Sequence, residues 1–196
     1  MKMAKPMSPM EAWISLRQLR IVLDHFELPH FLILGTCLGA HRDGGWTPGA
    51  DDIDIGFLAE DLAPKAEKLA KHLDHLGYSS RVVRGPFTRP YAVKANRGTV
   101  KLDLVGYILN GDERFCHSVL SGYSIVHRRD LLETYETMEL FGVTFNAPSP
   151  VETYLQLEYG ENWRTPKDDH RSRTRVQDYL QKEGIPSDIL DETRPK

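Results

Sequence analysis

Asp52 and Asp54 are separated by one residue in the run DDIDIGF, residues 51–57. Acid and isoleucine alternate strictly there, which predicts a strand. Side chains alternate across a strand, so both carboxylates share one face while Ile53 and Ile55 turn to the core. Their Cα atoms stand about 6.6 Å apart on strand geometry. Carboxylates at that spacing can converge on one hard cation, or on two that share a bridging oxygen. Like charges side by side on a half-buried strand repel unless a cation or proton lies between them. A solvated edge strand with an acidic outer face has the same pattern, so the pair alone does not decide. Asp103, in VKLDLVGY, adds a third carboxylate on a second predicted strand. Leu102 and Leu104 face the core there, and Lys101 and Val105 share the face of Asp103. Alone, Asp103 reads as a surface acid paired with Lys101. With the first strand it completes the set that two-metal phosphoryl transfer requires, one ion to activate the attacking hydroxyl and one to hold the donor phosphates. The expected ion is Mg2+ or Mn2+.

The elements that position these acids are legible from periodicity. Ser8-Pro9-Met10-Glu11 reads as a capping box with proline at the first helical position. The helix behind it carries an apolar face of Trp13, Leu16, Leu19, Ile21, Leu23 and Phe26 and ends at Pro29. His30 to Leu34 reads as a buried strand ending at Gly35-Thr36. A glycine there allows close approach to a phosphate, and the threonine hydroxyl can bond it. Residues 37–42 have room for one helical turn, and Arg42 at its end has the fork geometry of a phosphate clamp. Gly44, Gly45, Pro48 and Gly49 mark a loop. Past the DDID strand, Asp61 is expected to cap a helix with a stripe of Leu62, Ala66, Leu69, Leu73 and Leu76, closed by Gly77. Strands follow at 78–83, 91–95 and 100–108, with turns at Gly85-Pro86, Arg97-Gly98 and Asn110-Gly111. Further strands are expected between 115 and 126 and between 138 and 145. Ser149-Pro150-Val151-Glu152 repeats the capping-box pattern and opens a helix to about Glu158. A charged segment over 168–182 reads as a surface helix, and the last ten residues as frayed.

Composition excludes several classes. The 196 residues suit one domain with a short helical appendage. A formal net charge of -3 with interspersed signs argues against nucleic acid as the main partner. It leaves room for a small nucleotide whose phosphates a metal neutralises. Cys37 and Cys116 have no metal-ligand spacing and are expected reduced and buried. Cys37 has no evident base partner and is not expected to be a nucleophile. No apolar run approaches the ~20 residues of a membrane span. MKMAKPMSPM lacks the apolar segment of a signal peptide, so a cytoplasmic location is expected. Tyr159 and Trp163 read as packing for the closing helix, and His72 and His75 as surface residues.

The stretch LGTCLGAHRDGGWTPGADDIDIGF, residues 34–57, resembles the LicD signature, whose typical form is close to GTLLGAxRxGGxIPWDDDIDIG. KLDLVGY resembles the family segment that carries a third metal-binding aspartate. FGVTFNAPSPVETYLQLEYGENWRTP resembles its closing block, and the resemblance covers about residues 10–166. The family includes bacterial phosphocholine transferases and is similar to the catalytic domains of fukutin and fukutin-related protein. It implies an α+β fold of nucleotidyltransferase type, a mixed β-sheet flanked by helices with a helical C-terminal part. One such domain would span 8–166, followed by a charged helical tail over 167–196. The implied reaction moves phosphocholine or a polyol phosphate from a CDP-linked donor to a sugar or glycan hydroxyl, with magnesium. The match puts Gly35, Thr36 and Arg42 in the donor-phosphate region and Asp52, Asp54 and Asp103 on the metal. Asp51 and Lys101, beside them, are expected to touch substrate. Where the family has Trp-Asp before its DDID core, this chain has Gly49-Ala50. That leaves the general base open between Asp51 and Asp103. Two other readings stay open: transfer of a nucleoside monophosphate from ATP or CTP, and a degenerate site that binds a nucleotide without turnover.

Overall fold

The first helix, α1 (Pro9–His25), buries Ala12, Ser15, Leu16, Leu19, Val22 and Leu23. Proline does stand at its first position, but the expected capping box does not form: Ser8 makes no side-chain cap. The Ser8 N–H donates instead to Thr99 Oγ1 at 2.8 Å, and the Glu11 carboxylate accepts the Thr99 N–H and hydroxyl at 2.9 and 2.6 Å. A residue distant in sequence has taken the place of the local partner. Trp13 and Ile21, expected on the buried face, are 39% and 69% exposed. The computed structural model describes residues 6–84, 90–118, 123–166 and 174–175.

The strand expected at 30–34 is only two residues, β1 (Phe31–Leu32), and Gly35-Thr36 lie in the short helix α2 (Leu34–Leu38). A π-helical turn over Gly39–Asp43 continues it. Then come β2 (Ile53–Leu58), a one-turn helix α3 (Ala59–Leu62) and α4 (Ala66–His75). Asp61 therefore lies inside α3, and α4 starts after Lys65 with no side-chain cap. Leu62, Ala66, Leu69 and Leu73 of the expected stripe are buried, Leu76 only partly, and Gly77 follows the helix at φ +85°. β3 (Ser79–Arg84), β4 (Pro90–Arg97) and β5 (Val100–Asn110) follow. The expected pairs beyond are four strands: β6 (Glu113–Ser118), β7 (Tyr123–Arg128), β8 (Tyr135–Leu140) and β9 (Val143–Pro148), with α5 (Arg129–Glu133) between the hairpins. The closing helix α6 (Val151–Tyr159) again lacks its capping box. Pro150 is the N-cap, and the Val151 N–H reaches Glu136 Oε2 at 3.2 Å. The helix expected over 168–182 lies almost wholly outside the described residues. The two described there, Thr174–Arg175, form β10, antiparallel to β7. The Gly85-Pro86 turn also lies outside them.

The sheet is mixed and runs β10-β7-β6-β5-β2-β1-β9-β8, with β4 and β3 branching from β5. β5 is its hub. Its first half pairs antiparallel with β4, its last residues pair with β6, and β2 lies parallel along its other edge. Ile53, Ile55, Phe57, Leu102 and Leu104 are fully buried, as alternation requires. Gly56 follows from packing: the Phe31 ring covers it, and a Cβ would meet Phe31 Cε2 at 2.5 Å. Cys37 and Cys116 are free and buried, and burial pushes the Cys37 thiol far above its ordinary range. No described helix is long and apolar enough to cross a membrane.

Candidate active site

Parallel pairing of β2 with β5 sets Asp54 opposite Asp103. Side chains in register on adjacent strands share a face, so two acids 49 positions apart become neighbours. Asp52, just ahead of β2, joins them: each of Asp52, Asp54 and Asp103 has a carboxylate oxygen within 4.8 Å of the others. Two oxygens on one magnesium ion are at most about 4.2 Å apart. Neighbouring oxygens on such an ion stand about 3 Å apart, so the three side chains would draw closer to ligate one ion. Oxygen donors alone suit a hard divalent cation.

Asp54 is 5% exposed. Its N–H donates to Thr36 Oγ1 at 2.8 Å, which ties β2 to α2. Thr36 thus positions the acid strand as well as bordering the cavity. α2 is itself held at its first residue. Leu34 has φ +47°, a left-handed conformation that costs a leucine energy. Its N–H donates to Tyr154 Oη at 2.9 Å, from α6, and Tyr154 is fully buried. That contact fixes the conformation from outside the loop.

A cavity of about 270 Å³ opens beside the acids, lined by Gly35, Thr36, Asp51, Asp52, Asp54 and the loop from Trp46 to Ala50. Gly39 lets this loop fold back, since a Cβ there would meet Gly45 O at 2.4 Å. Gly49, where the family pattern has tryptophan, has φ +78°.

Two lysines border the carboxylates. Lys101 Nζ lies 2.5 Å from Asp51 Oδ2, so the alternative reading of Asp103 as a surface acid paired with Lys101 does not hold. The bond to Asp51 holds the Lys101 ammonium above its ordinary range, against partial desolvation. Asp103 is paired instead by Lys94 of β4, Nζ to Oδ2 at 2.5 Å. Lys94 did not emerge from the sequence reading, although a signal existed. A two-residue turn at Gly98-Thr99 pairs Arg97 with Val100 and so sets Lys94 opposite Asp103. Arg42 does not line the cavity. Its guanidinium is bidentate to Asp43 at 2.8 and 2.7 Å, with a further bond to the Trp163 carbonyl at 3.4 Å. Tyr159 and Trp163 are buried, as packing residues should be.

A mixed sheet that converges three carboxylates beside a glycine-threonine helix is the architecture of a nucleotidyltransferase-type enzyme. The solution structure of the antibiotic-resistance factor ANT(2'')-Ia shares this fold, with TM-score 0.50 and 17% identity over 95% of this chain and 91% of that one. The family assignment is specific: the model of the LicD/FKTN/FKRP nucleotidyltransferase domain matches residues 27–150, more than half of the chain. The chain belongs to that family and is a transferase of the LicD/nucleotidyltransferase type. Two crystal structures align at lower scores. They are the lincosamide antibiotic adenylyltransferase LnuA with lincomycin bound (TM-score 0.48, 19% identity, 74% of this chain, 85% of that one), and ANT(2'')-Ia in complex with adenylyl-2''-tobramycin (TM-score 0.44, 22% identity, 68% and 67%). No curated protein matches the chain.

Proposed function

We propose that this enzyme moves phosphocholine or a polyol phosphate from a CDP-linked donor to a hydroxyl of a sugar or glycan. The observation that carries the reading is the convergence of Asp52, Asp54 and Asp103 in a chain of the LicD family. A divalent cation on these carboxylates would offset the charge of the donor diphosphate and of the leaving oxygen.

The chain's own residues do the rest. Thr36 and Tyr154 fix Asp54 and α2, so the acids are held before substrate arrives. Lys94 and Lys101 bring two positive charges to the rim, within reach of donor phosphates. Gly35 and Thr36 offer the donor a close approach at the cavity wall. For Arg42 to act as a clamp it must first leave Asp43. Asp51 lines the cavity without belonging to the carboxylate cluster, and we assign it the proton of the acceptor hydroxyl. The hydroxyl oxygen then forms a bond to the distal phosphorus, the bond from that phosphorus to the bridging oxygen breaks, and CMP leaves.

Thermal melting with CDP-choline, CDP-ribitol, CDP-glycerol, CTP and ATP, each with and without magnesium, tests the reading. A magnesium-dependent rise with one CDP-linked compound, lost in Asp54→Asn, supports it. A rise with a nucleoside triphosphate alone, accompanied by pyrophosphate release, replaces it with nucleotidyl transfer.

A further inference from the structure

Trp46 lines the acid cavity and also a second cavity, of about 330 Å³, shared with Pro9, Met10, Trp13 and Phe141. Three separate elements build this second space: the start of α1, the loop after the π-helical turn and the tip of the β8–β9 hairpin. No charged side chain among the described residues lines it. Met10, Trp13 and Phe141 are 66%, 39% and 38% exposed, a cluster of apolar surface beside a polar active site.

The hairpin tip shows that this aromatic wall is held against local preference. Leu140 pairs with Val143, which leaves a two-residue turn of Phe141 and Gly142 with φ +53° and +73°. Asparagine or glycine suits the first of these positions, and other L-residues are disfavoured there. Phenylalanine occupies it nevertheless, its ring 5.1 Å from that of Trp46 and packed over Gly45. The Trp46 indole N–H is buried and meets no acceptor among the described residues.

We propose that this cavity is the acceptor subsite and takes a carbohydrate ring, its C–H face stacked on Trp13, Trp46 and Phe141 and one hydroxyl turned past Trp46 toward the acids. The assignment rests on the transferase reading above. The C–H edges of a pyranose suit the negative face of aromatic rings, and its remaining hydroxyls stay in water at the open side. A phosphate would find no cation among the described lining residues. A nucleobase is separated from the distal phosphorus by a ribose and a phosphate, a poor fit to a cavity that shares Trp46 with the acid site.

Saturation-transfer NMR on the full chain with methyl glycosides of glucose, galactose, mannose and N-acetylglucosamine tests the proposal. The variants are Trp13→Ala and Phe141→Asn, the latter chosen because asparagine suits the turn. Transfer to ring C–H protons of at least one glycoside, lost to background in both variants, is the expected result. The magnesium-dependent melting shift with a CDP-linked compound should persist in both. No transfer in the wild type, or transfer that survives both variants, overturns the subsite. Variant-sensitive transfer to the N-methyl protons of CDP-choline overturns it too, by giving the cavity to the donor head group. So does a concentration-dependent dimer that Phe141→Asn dissolves. Absence of any cytidine-dependent shift in the wild type would instead refute the transferase reading and leave the glycoside result standing by itself.

Discussion

Lys94→Met should make the protein bind a divalent cation more tightly. Lys94 Nζ stands 2.5 Å from Asp103 Oδ2. An ion bonded to that oxygen at about 2.1 Å would stand no more than about 4.6 Å from the ammonium. Repulsion between a double and a single positive charge at that distance is about 1.8 kcal/mol in bulk-water dielectric. Salt at about 0.15 M roughly halves it, to about 1 kcal/mol. Lys94 is 29% and Asp103 25% exposed, so a water-like dielectric is a fair lower bound on the effect. Removing the ammonium also frees an oxygen it now occupies. Methionine keeps the length and apolar stem of lysine, so the strand should pack as before. Isothermal titration with manganese alone should therefore show affinity raised about five- to twenty-fold in Lys94→Met. The same variant should bind a CDP-linked donor less well once the cation is saturating, because a positive charge at the rim is gone. The opposite signs distinguish a counter-ion role from simple structural damage, which weakens both. Manganese affinity unchanged or reduced in a variant of wild-type melting temperature would refute the reasoning.

Asp54→Asn should abolish manganese binding and turnover while the fold survives, because the amide keeps the shape and the backbone bond to Thr36 does not use the side chain; calorimetry and circular dichroism check the two halves. Tyr154→Phe leaves the buried Leu34 N–H without its acceptor, at a cost of about 1–3 kcal/mol, or roughly 2–4 °C of melting temperature per kcal/mol. A wild-type melting temperature would mean that the left-handed Leu34 is held by something else. Burial lowers the pKa of His30, against a bond between its Nδ1 and the Leu28 carbonyl. The folded state keeps the ring neutral while the unfolded chain protonates at about 6.5. Its contribution is therefore full above about pH 6.5 and lost as pH falls below that, toward the depressed folded value, by at most about 1.4 kcal/mol per pH unit. Urea midpoints measured from pH 7.5 to 5 should fall more steeply for the wild type than for His30→Leu, and parallel curves would contradict the assignment.

Local pattern determined much of this protein. Alternation in DDIDIGF and VKLDLVGY set Asp54 and Asp103 on strands with their isoleucine and leucine neighbours in the core, because a period of two is a property of the backbone itself. The stripe of α4 and the proline at the start of α1 are equally local. The motif also carried the family, since the spacing from Gly35 to Asp54 reports a loop and a strand that are contiguous in the chain. What failed were inferences in which a local partner competed with a distant one. Both capping boxes gave way to Thr99 and Glu136, since a side-chain acceptor takes whichever donor the fold brings nearest. Lys94 was missed, although it pairs with Asp103 across the strand, because the β4–β5 register faces that ammonium at the carboxylate. Tertiary structure alone set β2 parallel to β5, which turns two separate acids into one cluster, and brought Trp13, Trp46 and Phe141 from three elements into one wall. Such meetings depend on strand register and on the direction of chain return, and neither is encoded within any window of the sequence short enough to read as a motif.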